Sequence, residues 1–420
     1  MIKAVKGTFD ILPGDVETWQ AIETVVREKM SLYRYEEIRV PVFEETSLFA
    51  RSIGEDTDIV VKEMYTFSDM GGRSLTLRPE GTATVVRSFI EHSLDQQGLP
   101  RMLWYMGPMF RQERPQKGRQ RQFHQFGVEV IGSPLPVVDA DVMILFEDIA
   151  STLGLAEIRF SLNSLGGERS RKAYLARLMN FLAGVEDRLC DDCRRRMKTN
   201  PLRVLDCKVP GCRSAVHDSG NMPKSVDSLT AEDAAHFDTV RNYLAAADLV
   251  FEDDPFLVRG LDYYTGIVFE VNYRGLGAQS AIMGGGRYDN LIRELGGPDL
   301  PAVGFACGIE RLILAMKAAG TEIRADELDV YIIDMSGCPE RALRYLTLLR
   351  RSGISAVIGY LGRSMKAEMK TAAKYRAKRT LIIEPEDDKV SVRDMEKSEQ
   401  TEMSFDKFFY MMKSSHSYEK

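Results

Sequence analysis

The sequence lacks a long hydrophobic run and a surplus of positive charge. No stretch approaches the roughly 20 apolar residues that span a bilayer, and no apolar segment of the secretory-signal type follows the N-terminal residues. We therefore expect a cytoplasmic protein with no membrane partner. The formal net charge is -6, which excludes a globally basic coat and confines any nucleic-acid binding to local basic patches.

Cysteine is scarce in this sequence. The length excludes a single small domain, and the composition excludes a disordered chain. The chain has 420 residues, of which 44% are hydrophobic and 28% charged. This length indicates two or three domains, and this composition is typical of globular proteins. There are six cysteines, and in a reducing cytosol we expect none of them in a structural disulfide.

Helix and strand patterns are mixed over the first part of the chain. Val16, Trp19, Ile22, Val26 and Met30 recur every three or four residues, which predicts an amphipathic helix. A second helix is predicted after glycine-rich turns, over 307–316. Strand-type runs lie at 75–77, 101–106, 123–130, 257–271 and 278–283. A polar, basic loop joins the second of these runs to the third, so we expect antiparallel strands there.

Two later segments differ from this first part. Residues 170–250 are helix-rich and separate two strand-rich blocks, as an inserted helical domain would. Near 318–326 the apolar pattern breaks, which indicates a linker. Beyond it, strand and helix patterns alternate, which predicts a small α/β domain with a mostly parallel sheet. The predicted strands are 329–334, 354–358 and 379–383, and the predicted helices are 340–352 and 364–376.

The strongest chemical signal is a basic loop between two strands, FRQERPQ at 110–116 followed by RQFHQFGVE at 121–129. An arginine that leaves a strand can hold a phosphate with a forked, permanently charged donor. A nearby glutamate can accept from an exocyclic amine, and a phenylalanine can stack on a base. The set suits a bound ATP, although on residue types alone a solvated loop explains the segment better.

These segments resemble motif 2 of the class II aminoacyl-tRNA synthetases. AVGFACGIERL at 302–312 resembles motif 3 of the class, and the segment 35–65 around Pro41 resembles motif 1. The opening KGTFDILPGD at 6–15 is similar to the start of one family of the class, the histidyl-tRNA synthetases.

Two further segments resemble signatures of the histidyl-tRNA synthetase family: LVRGLDYYTG at 257–266 and GGGRYD at 284–289. Both are long and unusual in composition, so they are more specific than a lone glycine-rich loop. The resemblance covers essentially the whole chain, more loosely in the C-terminal part.

The resemblance implies an α+β catalytic domain over 1–320, with an antiparallel sheet flanked by helices and the helical insertion at 170–250. It also implies an anticodon-binding α/β domain over 326–420. The implied reaction is ATP-dependent activation of L-histidine to histidyl-adenylate, followed by transfer to the 3′ end of tRNA-His. Because motif 1 is a dimer-interface element, the family resemblance also implies a homodimer.

For ATP, the resemblance assigns Arg111 to the α-phosphate, Arg311 to the γ-phosphate, Glu113 to the adenine amino group and Phe123 to the adenine ring. It places Arg259 against the α-phosphate opposite Arg111, and these two are the expected catalytic residues. The chemistry agrees, since a carboxylate that attacks a phosphate needs its charge repulsion relieved more than it needs a base. Two arginines on one phosphate, with Mg²⁺ on the pyrophosphate oxygens, meet that demand.

For histidine, the resemblance assigns Glu80 and Thr82 to the α-ammonium group and Gln125 to the amino-acid backbone. Glu129 and Tyr264 should grip the imidazole. A carboxylate and a phenol can pair with both the donor and the acceptor of that ring.

Tyr263 should lie close to the same ring. If both tyrosines stand in a strand, adjacent side chains face opposite sides, which favours Tyr264 as the one that points at the ligand. The glycines at 284–286 either form a tight turn or let the backbone approach the substrate, and both can hold together.

For tRNA, the resemblance points to Arg114 and Gln116 in the motif 2 loop as contacts of the acceptor end. A second basic segment lies in the C-terminal domain, where seven basic residues face the single acid Glu368 between 362 and 380. Such a run is often only a solvated helix face, but its place in this domain favours RNA contact. The basic residues are Arg363, Lys366, Lys370, Lys374, Arg376, Lys378 and Arg379.

Four cysteines form two close pairs, Cys190 with Cys193 and Cys207 with Cys212. Paired thiols in a cytosolic protein fit a structural zinc site, although the second spacing is wider than the usual two residues. Four separate or reactive thiols in a polar insertion remain the alternative. A catalytic metal is not expected, because the cysteines lie outside the active-site motifs.

Two other functions compete with the synthetase. The first is a catalytically inactive paralogue that acts as a regulatory subunit in histidine biosynthesis. Such paralogues tend to lose the segment 259–264 and the anticodon-binding domain, and this sequence has both. The second is an RNA-binding regulator with an inactive site, against which the intact Arg111, Arg259 and Arg311 argue.

Overall fold

The computed structural model describes residues 2–54, 57–115, 118–218, 220–321, 327–385 and 389–416. The chain divides into two compact units, Met1–Ile323 and Arg324–Lys420. Among the described residues, none of the helices combines the length and the hydrophobicity that a bilayer crossing requires.

The helices of the first unit begin with the predicted amphipathic one, whose Trp19, Ile22, Val26 and Met30 are buried. In chain order they are α1 (Val16–Leu32), α2 (Thr46–Ile53), α3 (Thr82–Glu91), α4 (Pro136–Thr152), α5 (Glu168–Ala183), α6 (Asp191–Thr199), α7 (Leu202–Leu205), α8 (Pro210–His217), α9 (Ala231–Ala246), α10 (Leu291–Glu294) and α11 (Ile309–Ala319). Short 3-10 or π turns lie at Ile59–Glu63, Leu94–Gln97, Glu186–Arg188, Ser225–Ser228 and Arg274–Gln279.

The strands of the first unit form two sheets. In chain order they are β1 (Glu36–Glu37), β2 (Phe43–Glu45), β3 (Tyr65–Ser68), β4 (Ser74–Leu77), β5 (Arg101–Phe110), β6 (Gln122–Ile131), β7 (Ile158–Ser164), β8 (Phe251–Asp253), β9 (Ile267–Tyr273), β10 (Ala281–Arg287) and β11 (Ala302–Gly308). The strand expected over 257–271 begins only at Ile267. The residues before it, from 257 to 266, lie in turns and loop.

The central sheet has eight strands in the order β1-β5-β6-β11-β10-β9-β7-β8. The six inner strands pair antiparallel, and only the edge strands β1 and β8 pair parallel with their neighbours. The expected antiparallel sheet flanked by helices is confirmed. The smaller sheet has the order β2-β4-β3.

The alternation of residues along β6 separates a core face from an open face. Phe126, Val128 and Val130 join the main hydrophobic core, which also includes buried residues of α1, α4, α9 and α11. Gln125 and Glu129 point to the other side, because successive side chains of a strand face opposite ways. The central sheet is therefore apolar toward one layer of helices and carries polar side chains on its other face.

The helix-rich segment after β7 packs in two ways. The helices α5 to α8 surround a cluster of their own, whose members include Tyr174, Leu178, Leu182, Cys193, Met197, Leu205, Cys212 and Val216. Helix α9, by contrast, places Phe237, Val240 and Leu244 in the core of the main sheet and packs against α4.

The second unit contains one five-stranded sheet with the order β13-β12-β14-β15-β16. Its elements are β12 (Val330–Asp334), α12 (Pro339–Arg351), β13 (Ala356–Ile358), α13 (Met365–Lys374), β14 (Arg379–Ile383), β15 (Lys389–Asp394), β16 (Gln400–Ser404) and α14 (Phe405–His416). The three predicted strands pair parallel. The tail adds the antiparallel strands β15 and β16, so the sheet is mixed rather than mostly parallel.

Truncation of Phe146 should show how strongly the main core depends on close packing. Its ring is fully buried and contacts the rings of Phe126, Phe160 and Phe305. We expect Phe146→Ala to lower the free energy of unfolding by about 3–5 kcal/mol, since it leaves a cavity that the surroundings fill only partly.

The measurement is urea unfolding followed by tryptophan fluorescence, because the two tryptophans of the chain are both buried in this unit. Leu32→Ala is the control, since Leu32 is 70% exposed, and it should change stability by less than about 0.5 kcal/mol. Equal midpoints for the two variants would contradict the packing described here.

Candidate active site

Two cavities open on the face of the central sheet that carries Gln125 and Glu129. The larger has a volume of about 460 Å³ and the smaller about 70 Å³. The cavities adjoin, because the same side chains line both of them. These shared residues are Arg111, Gln125, Arg259, Gly284 and Ala306.

The smaller cavity is lined by buried acids and phenols. Glu129 comes from β6, Glu80 from the turn before α3, Tyr263 and Tyr264 from the loop before β9, and Tyr288 from the end of β10. All five side chains are at most 7% exposed. A ligand of this cavity must therefore offer several hydrogen-bond donors, since carboxylates accept and phenols both accept and donate.

Glu129 is held by two hydroxyl donors. Thr82 Oγ1 donates to Glu129 Oε1 over 2.7 Å, and the Tyr288 hydroxyl donates to Oε2. A Cβ on the neighbouring Gly304 would collide with the same carboxylate, so glycine at this position leaves Glu129 its place. The carboxylate is thus fixed in orientation before any ligand arrives.

Glu80 caps the N-terminus of α3. Its two carboxylate oxygens accept from the backbone N–H groups of Thr82 and Ala83, over 2.6 and 2.9 Å. These N–H groups have no partner within the helix, so a carboxylate there satisfies them and complements the positive end of the helix dipole. Because the carboxylate is locked to the helix, it lies at a fixed place in the cavity wall.

Burial changes the ionisation of both acids. It raises the pKa of Glu129 to about 8; the hydrogen bonds from Tyr288 and Thr82 oppose that rise, and the nearby Glu80 adds to it. Burial likewise raises the pKa of Glu80, against the hydrogen bonds from Ala83 and Thr82. Two acids that share a small buried space favour a ligand that carries positive charge.

Tyr263 and Tyr264 both line the smaller cavity, as two residues close to one ligand would. They lie in a turn and the loop after it rather than in a strand, and the alternation of a strand does not apply. Their ring centroids are 4.8 Å apart. Burial raises the pKa of Tyr264 to about 12, which keeps its phenol protonated as a donor at neutral pH.

The larger cavity is rich in charge of both signs. Its cationic residues are Arg111, Arg119, Lys208, Arg259 and Arg311. Its acidic residues are Glu113, Asp206, Glu270 and Glu310. Burial, and next the like charge of Arg119, lowers the pKa of Arg311. Closely spaced cations of this kind are a site for a polyanion, whose charge would relieve their repulsion.

Phe123 provides an aromatic surface in the larger cavity. The Arg111 guanidinium lies 5.4 Å from the centroid of its ring, within the range of a cation–π contact. Glu113, from the same loop, accepts from Arg119 over 2.9 Å and lies 3.9 Å from Arg111. The loop between β5 and β6 therefore supplies an acid and a cation to this cavity, and the start of β6 supplies the ring.

Arg111 and Arg259 lie at the junction between the two cavities. Arg111 is anchored by Nε, which donates to the Pro79 carbonyl over 2.9 Å. Arg259 pairs with Glu270 of β9 and crosses Gly284 of β10, where a Cβ would collide with the guanidinium. A glycine is required at this crossing because any side chain would displace the arginine.

Two buried polar atoms at the junction are left without a partner among the described residues. They are Gln125 Oε1 and Arg259 Nε. An unpaired buried acceptor or donor costs roughly 1–3 kcal/mol. A ligand that donates to Gln125 and accepts from Arg259 would satisfy both.

The structure thus brings together eleven of the predicted site residues. Glu113, Phe123 and Arg311 line the larger cavity; Glu80, Thr82, Glu129, Tyr263 and Tyr264 line the smaller one; Arg111, Gln125 and Arg259 line both. Arg114 is exposed on the loop and lines neither cavity. Gln116 lies outside the described residues.

Several residues that line the two cavities could not be identified from the sequence. Tyr288 lies inside the glycine-rich signature at 284–289, so the motif marks its segment but not its role. Glu270 is the one acid in a mostly apolar strand, and that single carboxylate on β9 is the signal that points to it. Asp206 and Lys208 flank Cys207, in a segment whose motifs suggest only a metal site.

The four paired cysteines also come together. The Sγ atoms of Cys190, Cys193, Cys207 and Cys212 all lie within 4.8 Å of one another. Three of these side chains are buried, and that of Cys190 is half-buried.

Known proteins share this sequence and fold. The sequence model of the histidyl-tRNA synthetase family matches residues 7–170 and 187–312. The histidine–tRNA ligase of Halothermothrix orenii is 49% identical over 407 residues, which cover 96% of this chain and 96% of that protein. The ligase of the same name from Thermosipho melanesiensis is 48% identical over 412 residues, 97% of each chain.

Two solved structures have a fold similar to that of this chain. The apo histidyl-tRNA synthetase of S. aureus superposes with a TM-score of 0.83 at 40% identity, and the match covers 98% of this chain and 100% of that one. A Bacillus halodurans protein described as an ATP phosphoribosyltransferase regulatory subunit/histidyl-tRNA synthetase has a TM-score of 0.65 at 21% identity, over 89% of this chain and 96% of that one. At that identity it shows the fold alone.

The raised pKa of Glu129 predicts a pH-dependent stability. The folded protein holds a proton that the unfolded chain releases above the ordinary value of 4.5. The contribution of this group is therefore fully present below pH 4.5 and is lost as the pH rises through about 8. We expect the free energy of unfolding of the wild type to fall across that window, relative to Glu129→Gln, by on the order of a few kcal/mol.

Urea unfolding at several pH values within the window measures this difference. Glu28→Gln, at an exposed position on α1, is the matched control and should run parallel to the wild type. If the Glu129→Gln profile were parallel as well, Glu129 would ionise as it does in water and the account of its burial would be wrong.

Proposed function

The chain belongs to the histidyl-tRNA synthetase family and therefore joins histidine to tRNA with the use of ATP, and we propose that the two adjoining cavities bind these small substrates. Histidine occupies the smaller cavity and ATP the larger. The observation that carries this assignment is the position of Arg111 and Arg259, which line both cavities. The two substrates react where the cavities meet.

The smaller cavity suits histidine in both charge and hydrogen bonding. Glu80 and the free acceptor of Gln125 receive the α-ammonium group, with Thr82 beside them. The positive charge of the bound ligand favours the ionised form of Glu129, which accepts from one imidazole nitrogen, and the protonated phenol of Tyr264 donates to the other. A side chain without these nitrogens would leave the buried Glu129 and Tyr264 unpaired, which is the stronger basis for specificity.

The larger cavity suits ATP. Phe123 stacks on the adenine ring, and Glu113 accepts from the adenine amino group once the base enters. Arg311 binds the γ-phosphate, and Arg111 and Arg259 bind the α-phosphate from two sides. Their present partners, Glu113 and Glu270, are acids that hold the guanidinium groups in place until the phosphates arrive.

The first reaction step needs charge stabilisation more than a base. A carboxylate oxygen of histidine attacks the α-phosphorus, the bond to the pyrophosphate breaks, and histidyl-adenylate forms. Arg111 and Arg259 stabilise the charge that grows on the phosphoryl oxygens. Mg²⁺ bound to ATP would neutralise the leaving pyrophosphate, and carboxylates such as Glu270 and Glu310, the donor type that this ion prefers, line the same cavity.

In the second step the 3′-hydroxyl of the tRNA attacks the carbonyl carbon of the adenylate. The ester to tRNA forms, AMP leaves, and a phosphate oxygen of the adenylate accepts the hydroxyl proton. Arg114, exposed on the loop between β5 and β6, contacts the acceptor end of the tRNA. We place the enzyme in the cytoplasm, where the tRNA and ATP of general protein synthesis are found.

The second unit offers a basic surface to the anticodon part of the tRNA. On α13, Lys366, Lys370 and Lys374 are exposed and spaced four residues apart, so they lie along one side of the helix. The single acid of this run, Glu368, is buried and accepts from the Tyr331 hydroxyl over 2.6 Å. The exposed charge of the helix is therefore positive, which favours contact with phosphates.

A homodimer is part of the proposal. The segment that resembles motif 1 contains β1, at the edge of the central sheet, and β2, in the smaller sheet. In that smaller sheet Phe43 and Phe67 are 47% and 45% exposed, with ring centroids 6.4 Å apart. An exposed pair of aromatic rings is typical of a surface that a protein partner covers.

Loss of Arg259 should abolish activation without unfolding the enzyme. We expect Arg259→Ala to reduce histidine-dependent exchange of pyrophosphate into ATP by about a hundred- to a thousandfold, as removal of one preorganised donor does elsewhere. Arg169→Ala, an exposed arginine on α5, is the control and should retain full exchange. Circular dichroism should show both variants folded.

Two outcomes would contradict this assignment. Full exchange by Arg259→Ala would remove that residue from the reaction. Absence of exchange by the wild type would argue for the regulatory paralogue instead of the synthetase.

The dimer is tested by a change on its proposed surface. The wild type should sediment with twice the mass of one chain, and Phe43→Asp combined with Phe67→Asp should sediment as a monomer, because two charges cannot be buried there without partners. Tyr360→Asp, at a position 70% exposed in the second unit, should remain a dimer. If the wild type sediments as a monomer, the proposed homodimer is wrong.

A further inference from the structure

The four-cysteine cluster of the first unit has the geometry of a metal site. The residues come from three places: Cys190 and Cys193 from the start of α6, Cys207 from the turn after α7, and Cys212 from α8. Their Sγ atoms lie within 4.8 Å of one another. We propose that these four thiolates bind one structural Zn²⁺, and that the ion supports the wall of the ATP cavity.

The donor set selects the ion. Four thiolates are soft donors, and Zn²⁺ takes them in a tetrahedron with bonds of about 2.3 Å. That geometry puts the sulfurs roughly 3.8 Å apart, so the Sγ atoms need to move by less than an ångström or so each. The closed set leaves no position for water, which makes the site structural rather than catalytic.

A backbone donor already serves one of the sulfurs. The N–H of Cys190 donates to Cys212 Sγ over 2.9 Å. Such N–H···S bonds orient a ligand and stabilise its thiolate form, as outer-shell hydrogen bonds do in metal sites. This contact links the first cysteine of the cluster to its last, so the segment from Cys190 to Cys212 already closes on itself.

The helices next to the cysteines are short. Helix α6 has nine residues, α7 four and α8 eight, and three of the fourteen buried residues in their hydrophobic cluster are cysteines. A small set of short helices buries little apolar surface, and proteins commonly stabilise such units with a metal.

The cluster is joined along the chain to the wall of the proposed ATP cavity. Cys207 stands between Asp206 and Lys208, whose side chains both line that cavity. Phe256 and Val258 pack against the same hydrophobic cluster, and the next residue in the chain is Arg259. Zn²⁺ on Cys207 would therefore fix both the Lys208 segment and the approach to Arg259. This second part rests on the proposed function, whereas metal binding itself does not.

Metal binding is tested on the intact chain. The protein, purified under reducing conditions with Zn²⁺ present, should contain one zinc per chain by elemental analysis. A mercurial reagent that blocks thiols should release that zinc to a chromogenic chelator. Replacement by Co²⁺ should give thiolate-to-cobalt charge transfer in the near ultraviolet and the intense visible bands of a tetrahedral site.

Three variants assign the ligands. Cys190→Ser should lose most of the bound metal, and Cys190→His, which keeps a zinc ligand at the half-buried position, should restore it. Cys338→Ser, an exposed cysteine in the second unit, is the control and should bind as the wild type does. The wild-type cobalt spectrum needs no variant, so the proposal stays testable even if the serine variant folds poorly.

Three results would overturn the metal site. The wild type could fail to take up Zn²⁺ or Co²⁺ while its thiols titrate freely. The cysteines could form disulfides under reducing conditions instead. Cys338→Ser could lose metal as readily as Cys190→Ser does.

The link to ATP is tested by pyrophosphate exchange of the zinc-loaded protein, before and after chelation. Metal removal should raise the KM for ATP several-fold and change the KM for histidine less, because the smaller cavity does not border the cluster. An unchanged KM for ATP would overturn the supporting role and leave the metal site in place. Absence of exchange in the zinc-loaded protein would count against the proposed function, and the cobalt spectrum would still report on the metal.

Discussion

Repulsion between two anions is the constraint on which this site depends. A carboxylate must reach a phosphorus that already carries negative oxygens, and in a buried cavity that repulsion is stronger than in water. Arg111 and Arg259 offset this repulsion with their positive charge. They are the two cationic residues that line both cavities. Each is held by an anchor of its own, the Pro79 carbonyl for one and the Glu270 carboxylate for the other. The rest of the site serves to bring the two substrates to this pair.

The central sheet leaves space for the two substrates because some of its side chains are small. Its helix-facing positions carry large apolar residues, and the opposite face of β10 and β11 carries Gly284, Gly304 and Ala306. Small residues at the middle of a sheet leave a hollow that larger neighbours on β6 and β9 surround. The same glycines admit Arg259 and Glu129, which a side chain would displace. The fold thus separates a densely packed layer from a layer built for ligands.

Much of this architecture could be predicted from the sequence, because it rests on periodic patterns. The stripe on α1 and the alternation of β6 each follow from the spacing of apolar residues, and the family motifs mark the segments of the site. The loop with Tyr263 and Tyr264 could not be predicted in this way, since Val258 and the two tyrosines are residue types enriched in strands and the segment continues directly into β9. Nor could the role of Tyr288, because its partner Glu129 lies far away in the sequence and only the fold brings the two together.

A crystal structure of the chain with ATP and histidinol, an analogue that lacks the reactive carboxylate, would show whether both arginines act on one phosphate. Our expectation is that guanidinium nitrogens of both Arg111 and Arg259 lie within hydrogen-bonding distance of the α-phosphate, with the imidazole between Glu129 and Tyr264. A complex in which one of these arginines keeps its acidic or backbone partner and leaves the α-phosphate untouched would contradict it, as would an imidazole bound outside the smaller cavity.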